Sequence, residues 1–256
     1  MARVLVTNDD GIDSPGLWEL ARTASEAGHE VVIAAPRDDA SGTSASVSVP
    51  EHEGQLDVVP RVLPGLERVA AYALAAPPAL ITLVAIRGGL GEPPELVLSG
   101  INRGSNTGHA VLHSGTVGAA LTAAANGCPA MAVSVKVGRL PTEEPQWRTA
   151  ARFVPALLPV LQQAASPIVL NVNAPALPPE QVRGLREARL ATFGAVQTNV
   201  AVGDGYVQLA LADTGAALEP GTDSAWLAGG YVAVSAITPI FEVPQVNLRQ
   251  AVESAG

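Results

Sequence analysis

The sequence predicts an α/β fold: a doubly wound, mostly parallel sheet with a smaller β-containing appendage at the C-terminal end. Three observations carry this. Short apolar runs of strand length recur along the first two thirds of the chain; alanine-rich stretches of helical length lie between them; and after Pro175 the pattern turns to alternation of apolar and polar residues. The chain has 256 residues, 48% of them hydrophobic and 15% charged, ample for a sizeable core.

Taken in order, RVLVT (3–7) reads as a buried strand. Ser14-Pro15 then reads as the N-cap and first-turn pair of a helix to about Ala27, stopped by Gly28. Further strands are expected at EVVIAAP (30–36), ELVLSG (95–100), AMAVSV (130–135) and PIVLNVNAP (167–175), with helix-like segments at 77–87, 115–126 and 147–164. Residues 44–72 mix strand and turn character, broken by Pro50, Pro60 and Pro64. YVQLALAD (206–213) alternates like half-exposed antiparallel β, and GGYVAVSAITPI (229–240) is a last β-rich run. The expected division is an α/β core over 1–180 and an appendage over 181–256.

A net charge of −9 repels polyanions, so a DNA or RNA duplex and an anionic membrane surface are poor partners. Cys128 is the only cysteine, which rules out an intrachain disulfide and a thiolate-rich metal site; its apolar neighbours imply a buried thiol. The chain enters a strand at once, without a basic and apolar leader, and no apolar run is long enough to span a bilayer. A cytoplasmic protein is expected.

In open α/β sheets, ligands bind where the strands end. The first strand ends in Asn8-Asp9-Asp10-Gly11, the second in PRDDASGTSAS with Ser41-Gly42, and the 95–100 strand in GINRGSNTG with Asn102 and Asn106. Two adjacent carboxylates at a strand end repel one another unless a cation lies between them. Asp9 and Asp10 with a serine hydroxyl and an asparagine amide oxygen make an all-oxygen donor set suited to Mg²⁺, Mn²⁺ or Ca²⁺ rather than Zn²⁺. The segment HSGTVGAA supplies the other half: Ser114, Gly115 and Thr116 open a helix whose N-terminal amides suit a phosphate. Together these parts fit phosphoryl hydrolysis, with Asp9 favoured as the group that helps deprotonate the attacking water. Asp38-Asp39 reads as a solvated loop face, and His29, His52, His109 and His113 read as structural. A nicotinamide-binding domain does not fit, because no G-x-G-x-x-G turn follows the first strand.

VLVTNDDGIDSPGL, the Ser-Gly of APRDDASGTSAS, LVLSGINRGSNTG, HSGTVGAAL, LNVNAP and TDSAWLAGGYVAVSAITP, in this order from residue 4 to 239, together resemble the SurE family of survival-protein phosphatases. The resemblance implies a metal-dependent phosphomonoesterase acting on nucleoside 5′- and 3′-monophosphates or other small phosphomonoesters, in some members also on short polyphosphate. It implies one divalent ion, Mg²⁺ or Mn²⁺, with Ca²⁺ as the substitute met in crystals, on Asp9, Asp10, Ser41 and Asn102, and catalytic roles for Asp9 and Asp10. It implies phosphate contacts at Gly42, Asn106, Ser114, Gly115 and Thr116, and a homodimer or homotetramer assembled through roughly 200–256. The chain departs from the family pattern at Ala40 and Ala45, and at Ala76-Pro77-Pro78-Ala79-Leu80-Ile81, where the family carries Gly-Thr-Pro-Ala-Asp-Cys. The expected consequence is an apolar pocket wall with shallow nucleotide selection. The alternative is a catalytically weak metal- and phosphate-binding protein.

Overall fold

A computed structural model of the chain describes residues 1–48, 55–138, 144–164, 168–192, 196–203, 205–213 and 218–240; His52 lies outside them. In chain order the elements are β1 (Arg3–Thr7), α1 (Pro15–Glu26), β2 (Glu30–Pro36), β3 (Val58–Arg61), β4 (Ala70–Leu74), α2 (Pro78–Ile86), β5 (Leu96–Arg103), α3 (Gly115–Ala125) and β6 (Ala130–Val135). Then come α4 (Trp147–Ala151), α5 (Val154–Gln163), β7 (Val169–Ala174), β8 (Leu185–Glu187), β9 (Val196–Gly203), β10 (Tyr206–Asp213), α6 (Asp223–Ala228) and β11 (Val232–Ile237). Short 3₁₀ turns cover Gly108–His113 and Pro179–Gln181.

Among the described residues nine strands form one sheet, in the order β3-β4-β2-β1-β5-β6-β7-β11-β8. The six from β4 to β7 are mutually parallel, β3 and β11 are antiparallel to their inner neighbours, and β8 runs parallel to β11. From β1 the chain builds outward to β2 and β4 on one side and to β5, β6 and β7 on the other. The strand order therefore reverses between β1 and β5, where a doubly wound sheet opens a crevice at its carboxyl edge.

Side chains alternate across the sheet and fill two cores. Val4, Val6, Leu98, Met131, Val133 and Val172 pack with Leu17 and Leu20 of α1 and Leu158 and Leu161 of α5. Leu5, Val97, Ala130 and Ala132 pack on the other face with Leu80 and Ile81 of α2 and Val117, Ala120 and Ala123 of α3. Burying strands on both faces requires such near-continuous apolar runs, which is why they were readable as strands.

Four details depart from the expectations. The helix expected over 147–164 is two helices, because the Pro155 ring carries no N–H and would collide with the Ala151 carbonyl in a continuous helix. Ser14 occupies the N-cap of α1 without a side-chain capping bond. The turn into α6 is capped by Thr222, whose hydroxyl accepts the Ala225 N–H, and this helix lies between the two expected β runs, where no element was assigned. Finally, β8 and β11 pair into the main sheet, so residues on both sides of position 180 contribute to one sheet. Among the described residues the β9–β10 hairpin pairs only with itself. No helix among the described residues is long and apolar enough to cross a membrane.

Candidate active site

The carboxyl end of β1 runs into a tight loop built by Asn8. Its amide donates to the Gly11 carbonyl at 3.0 Å and its Oδ1 accepts the Gly11 N–H at 3.2 Å. Gly11 has φ of 98°, a conformation that favours glycine. This closed turn projects Asp9 and Asp10 from the sheet edge, Asp9 almost fully buried at 3% exposure. Asp9 accepts a hydrogen bond from the Thr116 hydroxyl in the first turn of α3. Asp10 accepts the backbone N–H of Arg103 at 3.1 Å, from the end of β5.

Both carboxyls are held above their ordinary range. For Asp9, burial dominates; hydrogen bonds from Thr116 pull the other way, and the charge of Asp39 adds to the rise. For Asp10, burial is again the largest cause, opposed by the Arg103 N–H and reinforced by Asp9 and Asp39, and its pKa is pushed up to about 6. The site thus holds carboxylates that the protein alone does not fully compensate.

Two further loops approach. After β2, the Ala40 N–H donates to the Asp9 carbonyl at 2.8 Å, and the Asp39 carboxylate accepts the N–H of Ser41 at 2.7 Å. Ser41 and Gly42 are exposed there, Gly42 with φ of 77° and nothing within 4 Å of the position a Cβ would take. On the other side, the β5 ladder slips register between Ser99 and Asn102. A Cβ on Gly100 would lie 2.2 Å from the Val133 carbonyl oxygen, so glycine lets the strand bend here. Half-buried Asn102 donates its amide N–H to the Gly104 carbonyl at 2.7 Å. With the nitrogen so engaged, its Oδ1 is the atom left to act as a ligand.

The remaining predicted residues divide. Ser114 caps α3, its hydroxyl oxygen accepting the Val117 N–H at 3.1 Å. A Cβ on Gly115 would lie 2.8 Å from Oδ2 of Asp9, so glycine lets the helix N-terminus touch that carboxylate. Thr116 is fully buried and its hydroxyl serves Asp9. Asn106 is buried and turned inward: its amide donates to Ser134 Oγ at 2.9 Å, its N–H to Asn173 Oδ1 at 2.7 Å, and its carbonyl accepts the amides of Asn171 and Asn173. The loop is fixed from its other side by Asp223, whose carboxylate accepts the N–H groups of Gly108, Ala191 and Ser224.

Asn171, Asn173 and Asp223 were missed as site scaffold. A signal existed for the first two, since asparagines two apart on one face of an otherwise apolar strand contradict its pattern unless they hold something.

A cleft of about 480 Å³ beside the Ser41 loop is lined by Asp38, Asp39, Thr43, Ser46, Ala76 and Pro77, among others. The expectation that the whole 76–81 segment walls the pocket is corrected: Leu80 and Ile81 point into the core between α2 and α3, at 7% and 0% exposure. They stand on the buried face of α2, so only the start of the segment reaches the cleft. Cys128 is buried as expected, and its thiol is pushed up to about 12 by burial.

Residues 4–196 match the family model described as survival protein SurE. A protein named 5′-nucleotidase SurE from Dehalococcoides mccartyi is 36% identical, the alignment covering 99% of this chain and 95% of that one. Another of that name, from Thermosynechococcus vestitus, is 38% identical over 185 residues, 72% of this chain and 67% of the relative. The crystal structure of the SurE protein from Aquifex aeolicus superposes with a TM-score of 0.78 at 26% identity, covering 99% of both chains.

Proposed function

The chain belongs to the SurE family, and from that premise we propose that it is a metal-dependent phosphomonoesterase that hydrolyses nucleoside 5′-monophosphates. The observation that carries the reading is the adjacent pair of buried Asp9 and half-buried Asp10 at the strand-order reversal, with their carboxyls held above the usual range. A divalent cation offsets the burial and repulsion that raise them.

The residues fit such an ion. Among the described residues no group of three or more His, Cys, Asp and Glu side chains comes together to hold a metal, so the donors would be two carboxylates completed by neutral oxygens. Asp9, Asp10, Ser41 and the Asn102 amide oxygen would hold the ion; hard oxygen donors of this kind suit Mg²⁺ or Mn²⁺, and Ca²⁺ as a substitute in crystals. When bound, a divalent ion of this kind activates water and neutralises charge developing on the phosphoryl group.

The chain's own groups do the rest. Thr116 holds Asp9 in place and donates to its Oδ1, leaving the other oxygen to accept a proton from the attacking water. The Ser114–Gly115 turn, at the positive end of α3, faces the phosphoryl oxygens. Gly42 lets the loop backbone approach them, and Asn106 sets the floor of the site through its links to Asn171 and Asn173. The nucleoside lies toward the cleft lined by Thr43, Ser46, Ala76 and Pro77. Hydrolysis of 3′-monophosphates and short polyphosphate, and assembly as a homodimer or homotetramer, belong to the same reading.

The test is phosphate release from four nucleoside 5′-monophosphates, one 3′-monophosphate, an aryl phosphate and short polyphosphate, with Mn²⁺, Mg²⁺, Ca²⁺ or excess chelator. Release restored by Mn²⁺ or Mg²⁺ and abolished by chelator supports the reading. Undiminished turnover in chelator removes it.

A further inference from the structure

The loop that carries Ser41 is seated on α3, and glycine makes the seat. A Cβ on Gly118 would stand 2.2 Å from the carbonyl oxygen of Ser44, 2.3 Å from its carbonyl carbon and 2.7 Å from the backbone nitrogen of Ala45. These are backbone atoms, so any side chain at position 118 must push the loop away. One turn earlier, a Cβ on Gly115 would meet Thr43 Oγ1 at 3.1 Å as well as Asp9. Ser44 is the only non-glycine residue with positive φ among the described residues, at 53°. That conformation is disfavoured for L-residues and persists where surrounding contacts over-determine it. Here they do: the Ser44 hydroxyl donates to the Leu112 carbonyl at 2.7 Å, and its own carbonyl lies on Gly118. At the loop's other end, the Thr43 hydroxyl donates to the Ala40 carbonyl at 2.7 Å, and the Ala40 N–H donates to Asp9. Ser41 sits between these two anchors.

We propose that Gly118 and Ser44 are positioning residues for the divalent ion, fixing the loop on α3 so that the Ser41 oxygen stands at a set place beside Asp9 and Asp10. Helix α3 is then the shared platform of ligands from two loops: it holds Asp9 through Thr116 and Ser41 through the Gly118–Ser44 contact. The inference rests on the reading of Ser41 as a metal ligand.

The experiment is calorimetric titration of the metal-free, full-length protein with Mn²⁺, together with its thermal melting, for wild type, Gly118→Ala, Ser44→Gly, Ser41→Ala and the two double variants with Ser41→Ala. Ser44→Gly keeps the left-handed conformation at no steric cost and removes only the bond to Leu112. Gly118→Ala is expected to weaken Mn²⁺ binding about tenfold or more, the usual scale for residues that orient ligands, and Ser44→Gly by a smaller factor. Neither should weaken it further once Ser41 is alanine, because both act through that oxygen. If Gly118→Ala does not fold, Ser44→Gly and its double variant decide by the same criterion. Wild-type affinity in the folded single variants, or losses that multiply in the double variants, overturns the proposal. A wild-type protein that binds no Mn²⁺ overturns the metal reading and this inference together, whereas wild-type binding with unaltered variants overturns this inference alone.

Discussion

Asp9 and Asp223 are both aspartates buried at the carboxyl edge of one sheet, at 3% and 1% exposure, yet they are built into opposite surroundings. Asp223 receives three backbone N–H groups, from Gly108, Ala191 and Ser224, and ties the Asn106 loop to α6. Asp9 receives hydrogen bonds from Thr116 and stands against the negative charge of its neighbours, its pKa raised by burial. A buried carboxylate supplied with donors holds the chain together; one left short of positive charge is suited to a cation.

The sharpest break between the two lies in what substitution removes. Asp9→Asn should cost at least about 100-fold in kcat/KM, because the proposed function makes Asp9 both a charged ligand and the proton acceptor. The metal-free fold should survive or melt slightly higher, since repulsion with Asp10 is relieved. Asp223→Ala should do the reverse, costing at least about 3 kcal/mol of stability by orphaning three buried N–H groups. Per folded molecule, its catalytic loss should be the smaller of the two. Urea melts and initial rates on both variants check this, and equal loss of activity and stability in both would erase the distinction.

pH sharpens the comparison next. Burial, reinforced by the charges of Asp9 and Asp39, pushes the Asp10 carboxyl pKa up to about 6 in the folded protein, well above the ordinary carboxylate range. A group whose folded pKa is raised contributes stability below its unfolded pKa and loses it as pH rises through the folded value. Metal-free protein should therefore lose this contribution between about pH 4 and 6, and Asp10→Asn should flatten that part of the profile. Urea midpoints of wild type and variant across the window are the measurement; parallel profiles would mean that Asp10 is not held above its ordinary range.

How much of this was legible follows from what sequence encodes locally. The two-face burial of β1, β5, β6 and β7 was plain in their apolar runs, and Asp9-Asp10 announced itself by placing charge where a buried strand ends. The placement of β8 and β11 in the main sheet was not, because pairing partners are set by long-range packing. The bond from Thr116 to Asp9 was also hidden: a threonine in a helix's first turn suits a phosphate as well as a carboxylate, and a contact between residues 116 and 9 is not encoded locally. Leu80 and Ile81 were read as pocket wall from their differences with the family pattern, but the side of α2 they occupy is decided by packing on Leu5, Leu74 and Val117.

That correction yields the smallest expected effect. Pro77→Thr, at the cleft, should shift preference among nucleoside monophosphates by no more than about tenfold, the worth of one modest hydrogen bond. Leu80→Asp should leave that preference alone and lower stability instead, since it buries a charge in the core. Steady-state kcat/KM for four monophosphates decides; a sharpened preference in Leu80→Asp would return that residue to the pocket.

The central claim, that under-compensated carboxylates hold a divalent ion, is tested most directly by titrating the metal-free protein with Mn²⁺ in buffers of different ionisation enthalpy at pH 6 and pH 8. The account predicts one ion per chain, with more protons released on binding at pH 6, close to the raised pKa of Asp10, than at pH 8. Binding without proton release at pH 6, or binding undiminished in Asp9→Asn, would contradict it.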